Sequence, residues 1–151
     1  MTRLHGYDAL ATKRSINIRL HVAVASGDTG AVAALLAHGA DVGVKNNAGD
    51  TLLHCAARRG HTTTVTVLLA RGTNLGAKND RGATPLHNAA FTGHTNTFTA
   101  LLASGAYVGV KNRWGDTALH NAANNGHTDV VTAPLTCGVD VAGVSDDELL
   151  H

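Results

Sequence analysis

The chain has 151 residues, a length for one domain, and its 12 Lys and Arg nearly balance 11 Asp and Glu to leave a net charge of +1. That balance gives no global field toward nucleic acid or an anionic membrane surface, and neither is expected as a partner. Aromatic residues are 3% of the chain, so the core must come from small and branched aliphatic side chains.

Two cysteines, Cys55 and Cys137, fall in different units of the repeating pattern described next. They are expected farther apart than the ~7 Å between Cα atoms that a disulfide tolerates. Free thiols fit a reducing compartment. No apolar run approaches the ~18 residues of a membrane span. Met1 to Leu10 lacks the apolar segment of a secretory signal. A cytoplasmic location is expected, with the nucleus or a host-cell cytosol as variants.

Residues 1–12 carry no repeat and read as an N-terminal extension or cap. After them a short pattern recurs four times at a spacing of 33 residues: Ile18-Arg19-Leu20-His21, Thr51-Leu52-Leu53-His54, Thr84-Pro85-Leu86-His87 and Thr117-Ala118-Leu119-His120. Glycines keep the same period, at Gly27, Gly60, Gly93 and Gly126 and again at Gly39, Gly72, Gly105 and Gly138. Such a period specifies a stacked solenoid rather than one globular core. The units span about 13–45, 46–78, 79–111 and 112–144, and residues 145–151 form a tail.

The third unit shows the local logic. Thr84 caps a helix, and Pro85 takes the first helical position, where its missing N–H costs nothing. Leu86, Ala89 and Ala90 form an i, i+3, i+4 stripe whose alanines let a neighbour approach closely. Gly93 stops this helix. A second helix follows with Phe98, Leu101 and Leu102 as its stripe, and Gly105 stops it. The first two units place Val32, Leu35 and Leu36, and Val65, Leu68 and Leu69, at the same points. Both helices are shorter than the ~12–15 residues that hold alone in water, so stacking must supply the burial.

The run Gly82-Ala83-Thr84-Pro85-Leu86-His87-Asn88-Ala89-Ala90, then Gly93-His94, Leu101-Leu102 and Gly105, resembles the ankyrin repeat. The resemblance covers residues 13–144. It implies an all-α solenoid of helix–turn–helix units with β-hairpin-like loops projecting at about a right angle, and a concave binding face formed by the loops and the first helices. Three departures stand out. Ile18-Arg19 replaces the usual Thr-Pro in the first unit. Pro134 stands where other units have Leu35, Leu68 and Leu101, which predicts a last helix that kinks or ends early. Beyond Gly138 the pattern fades, with Glu148 in place of a glycine, as in a frayed end or the stump of a longer array. The connector positions where the family often carries a hydroxylated Asn hold Gly43, Gly76 and Gly109, so that modification is not expected.

No catalytic or cofactor constellation emerges. Seven of ten histidines fall on repeat positions. Equivalent residues on neighbouring helices sit ~8–10 Å apart, too far to share one zinc ion. His21, His54, His87 and His120 read as bonding loop backbone, and His61, His94 and His127 as ordering the turn after glycine. His54 and Cys55 point ~100° apart on a helix and make a poor base–nucleophile pair; Cys55 reads as half-buried packing and Cys137 as exposed. The glycines of Gly72 to Lys78 have the wrong spacing for a phosphate loop. Asp50, Asp80 and Asp116 fall in connectors and are expected to be exposed. Asn88 and Asn121, equivalent residues on adjacent helices, read as inter-repeat packing, with a side-chain ladder across the stack as one form of it and ligand contact as the rival reading. No metal, cofactor or enzymatic activity is expected.

The resemblance places partner contacts at loop tips and on the exposed side of each first helix. At the tips these are Asn47, Ala48 and Asp50, then Asp80, Arg81 and Ala83, then Arg113, Trp114 and Asp116. On the helices they are Arg58 and Arg59, Phe91 and Thr92, Asn124 and Asn125. Lys45, Lys78 and Lys111 recur at the same spacing as a basic row. Trp114 at a loop tip and Phe91, where other units have Ala25, Arg58 and Asn124, are residue types that dominate interface energy. Folding of Trp114 back onto its own loop is the competing arrangement. Interleaved aspartates argue against the unbroken basic track of a nucleic-acid surface. The chain therefore reads as a monomeric interaction module for another protein with an acidic or mixed-charge segment. The rival readings are a regulatory or targeting region of a longer protein, and a small host-directed effector of a virus, bacterium or symbiont.

Overall fold

The computed structural model describes the backbone of residues 5–136 and the side chains of residues 14–135. Cys137, Glu148 and the tail at 145–151 lie outside the described residues. Among the described residues eight helices follow in order: α1 (His5–Ser26), α2 (Thr29–Ala37), α3 (Leu52–Arg59), α4 (Thr62–Ala70), α5 (Pro85–Thr92), α6 (Thr95–Ala103), α7 (Ala118–Asn124) and α8 (Thr128–Thr136). No strand occurs among the described residues. An isolated antiparallel bridge joins Lys45 to Thr51 in the first loop, and backbone bonds from Asn46 to Asp50, Asn79 to Ala83 and Asn112 to Asp116 close the three loops alike.

Each inner helix from α3 on starts by the same chemistry. Thr51, Thr84 and Thr117 adopt extended backbone and accept the N–H of His54, His87 and His120 respectively. Each histidine ring returns the bond by accepting the backbone N–H of its threonine, so two otherwise orphaned donors are satisfied at once. The stop is equally local. Gly60 ends α3 in the left-handed region, with φ of 72°, where a Cβ is strained. A side chain there would also lie 2.5 Å from the His94 ring of the next unit.

Inner helices α1, α3, α5 and α7 pack in one row and outer helices α2, α4, α6 and α8 in another. Between them runs a continuous core. Leu53, Ala56 and Ala57 on α3 and Leu86, Ala89 and Ala90 on α5 are buried against Val65, Leu68, Phe98 and Leu101 of the outer row. The alanines keep the inner row close. Hydroxyls stitch the outer row: Thr29 Oγ1 lies 3.0 Å from Thr64 Oγ1, and Thr62 Oγ1 lies 2.7 Å from Thr97 Oγ1. Thr64 and Thr97 are buried, and each thus has its partner one unit away.

The ends depart from the expected unit. The boundary expected between residues 12 and 13 falls inside α1, which runs without a break to Ser26. From Tyr7 to Ser26 there is no Gly or Pro and no Thr-Pro start to interrupt it. At the other end α8 does not end early. It carries Pro134 inside the helix and reaches Thr136, matching the nine residues of α6. Pro134 lies in the last turn and is buried, and the packing of Val130 and Ala133 holds the helix despite the lost N–H.

Candidate functional site

The loops form the first wall of the site, and asparagine shapes each one. Asn46 Oδ1 accepts the N–H groups of Ala48 and Asp50 at 2.9 and 3.0 Å. Asn79 does the same for Arg81 and Ala83, and Asn112 for Trp114 and Asp116. A side chain that mimics a backbone turn holds each tip in one conformation. The tips are then joined to each other: Asp80 N–H donates to the Ala48 carbonyl at 3.1 Å, and Arg113 N–H to the Arg81 carbonyl at 3.0 Å.

Histidines fix the loops to the helices. His54 Nε2 lies 2.7 Å from the Ala83 carbonyl and His87 Nε2 lies 2.9 Å from that of Asp116. Because Nδ1 accepts the threonine N–H, the ring proton sits on Nε2 and is donated to the loop. Burial lowers the pKa of His54 and His87 below the usual 6.5, with the loop carbonyl opposing it. The second histidine set does more than order its own turn. His61 Nε2 bonds the Ala25 carbonyl at 3.1 Å and His127 Nε2 the Phe91 carbonyl at 3.0 Å, each on the preceding inner helix. Asn88 Nδ2 also reaches back, to the His54 carbonyl at 3.1 Å. It is an inter-repeat link, side chain to backbone, rather than a ladder of amides.

Between loops and inner helices lies a concave cavity of about 630 Å³. It brings together Asp50 and Arg58, Asp80 and Arg81, and Phe91 with Thr92. It also takes in Arg113, Trp114, Asp116, Asn124 and Asn125. Lys45, Asn47, Arg59, Lys78 and Lys111 are exposed but do not line it. The basic row thus lies off the groove. Asn79, Asn112 and His87 line it and were not among the expected contacts. The 33-residue spacing of Asn46, Asn79 and Asn112 was the signal that could have found the first two.

Asp50 is not the exposed connector charge its position suggested. It is 2% exposed. Arg58 Nη2 donates to Oδ2 at 3.2 Å and Asn79 Nδ2 donates to Oδ1 at 2.8 Å. Two donors, one of them charged, offset the desolvation of the carboxylate. The neighbouring Cys55 is buried, and burial followed by the Asp50 charge pushes its thiol pKa up. It stays a thiol beside a His54 ring whose two nitrogens are both engaged by backbone.

The apolar content comes from two aromatic side chains. Phe91 and Trp114 are each 59% exposed. Arg113 stacks on the indole, its guanidinium carbon 4.4 Å from the ring centroid. This covers one face of the ring and leaves the rest open.

Three ankyrin repeats match residues 20–112 in a comparison with family models, and a further ankyrin repeat matches residues 114–145. No match to a curated protein was found. No helix among the described residues is long and apolar enough to cross a membrane. Ankyrin repeats are in general protein–protein interaction modules. With the capped helix pairs and hairpin-like tips of the structure, these matches show that the chain belongs to the ankyrin repeat family.

Proposed function

We propose that this chain binds one partner protein in the groove between its loop tips and inner helices, as a rigid surface and without chemistry of its own. The observation that carries the reading is the pair Phe91 and Trp114. Two aromatic side chains, each more than half exposed, line one cavity, and neither is needed to fill the core. Exposed aromatics and arginines gathered in a concave site supply the anchors that dominate binding energy. Arg81 and Arg113 stand beside them, while Arg59 and Lys78 are exposed outside the groove and contribute long-range steering. Arg58 is already committed to Asp50 and acts by stiffening the wall.

Surface binding of this kind needs no second copy, and the chain acts as a monomer. The free buried thiol of Cys55 is in keeping with a reducing compartment such as the cytoplasm. The partner is captured from lysate with the intact chain and with a Phe91→Ala/Trp114→Ala double variant as baits. A specific protein lost with the double variant supports the reading. Equal retention by both baits places binding on another surface.

A further inference from the structure

The repeat itself reveals what is missing from the groove. One position within the unit holds Asp50, Ala83 and Asp116 in successive copies. In the second unit the Asp50 carboxylate fills the corner between loop and helix, taking the Asn79 amide at 2.8 Å and Arg58 at 3.2 Å. In the third unit the equivalent position carries only the Ala83 methyl group in place of a carboxylate, and Phe91 stands where Arg58 stood. The donor across the corner has not changed. Asn112 holds Trp114 and Asp116 through Oδ1 just as Asn79 holds Arg81 and Ala83. With Oδ1 so committed, its Nδ2 corresponds by repeat position to the Asn79 Nδ2 of one unit earlier, and there Ala83 offers no carboxylate. Ala83, Phe91 and Asn112 all line the cavity.

We propose that the corner over Ala83 receives the carboxylate of an Asp or Glu side chain presented by the partner protein, with the Asn112 side-chain amide as its donor. The inference rests on the groove being the binding face and names what the groove selects. The charges that line the cavity, Asp50, Asp80 and Asp116 against Arg58, Arg81 and Arg113, cancel, so an entering carboxylate meets no net repulsion. Neither Arg81 nor Arg113 is in an ion pair among the described residues. Each is available to take the second carboxylate oxygen, the role Arg58 plays for Asp50. The apolar part of the partner beside its acid then packs on Phe91 and Trp114.

The test is selection of peptides from a random phage-displayed library on the immobilised full-length chain. Fusion to the coat protein leaves no free peptide C-terminus, so only side chains supply carboxylates. Selected peptides should carry Asp or Glu next to an apolar residue. Replacing that acid by its amide should weaken binding tenfold or more. Ala83→Asp, which supplies the carboxylate from within, should weaken binding equally. Thermal melting of Ala83→Asp checks that it folds, and Ala83→Asn fills the same corner without charge as a second blocking variant. Peptides that require Phe91 and Trp114 but tolerate loss of the acid overturn the carboxylate site and leave the groove reading standing. Peptides indifferent to Phe91, Trp114 and Ala83 alike overturn both, and a library that yields no groove-binding peptide overturns the carboxylate site.

Discussion

His54 Nε2 lies 2.7 Å from the carbonyl oxygen of Ala83, a residue 29 positions later in the chain. One ring thus closes the cap of α3 and holds the next loop in place. His87 repeats this with Asp116. Both rings are almost fully buried, so removing either leaves a threonine N–H and a loop carbonyl without partners. His54→Ala and His87→Ala should each lower the unfolding free energy by about 1–3 kcal/mol. Urea unfolding followed by circular dichroism measures this, and an unchanged midpoint would refute the coupling of cap to loop.

The same two histidines make stability depend on pH. Burial lowers their pKa in the folded chain, so the unfolded chain binds more protons on acidification. Their contribution is present above the unfolded value near 6.5 and is lost as pH falls through that value toward the lowered folded ones. The urea midpoint should fall between pH 7 and pH 5, with a slope of at most about 1.4 kcal/mol per pH unit for each ring. A variant in which both rings are replaced by Gln should show a flatter profile. An identical profile would assign the effect to other groups.

Asp50 offers a second probe of buried polar packing. Asp50→Ala leaves Asn79 Nδ2 without its acceptor and frees Arg58. The expected loss is about 1–3 kcal/mol. Arg58→Ala should cost less, about 0.5–1 kcal/mol, because its side chain is 46% exposed. A double-mutant cycle by chemical denaturation gives the coupling, and strict additivity would show that the pair contributes nothing.

Pro134 works against its own helix, since it supplies no N–H inside α8. The equivalent Leu101 is 0% exposed in α6, so the site accepts a leucine in that unit. Pro134→Leu restores an N–H toward Val130 and fills the inner side of α8. It should raise stability by about 1–3 kcal/mol, at or below the ~3 kcal/mol that a proline costs in a helix interior, because Pro134 sits in the last turn. A higher melting temperature is expected, and a lower one would mean that the last unit is packed too tightly for the larger side chain.

The threonine starts and the glycine stops were readable without a structure because their chemistry acts over three or four residues. Thr84 and His87 meet within a single turn, and Gly60 needs only its own φ. That Phe91, Trp114, Arg81 and Asp116 share one face was implied by the family resemblance, and all four line the cavity. Other features escaped for a common reason. Asp50 looked like a solvated connector charge because Asn79, its covering partner, belongs to the next unit. His61 and His127 looked like local turn residues because the carbonyls of Ala25 and Phe91 lie one unit back. The unbroken α1 escaped because the repeat period invited a boundary that residues 7–26 do nothing to make.

By itself the sequence determined the period, the caps, the inner and outer helices, and hence the family, all of which depend on short-range contacts repeated at a constant spacing. Only the tertiary structure decided which polar groups are buried and which remain open. Burial depends on contacts between units, where Asp50 finds Arg58 and Asn79 while the corner over Ala83 finds no carboxylate. The site is thus made by differences between copies, and these acquire meaning only when the copies are stacked.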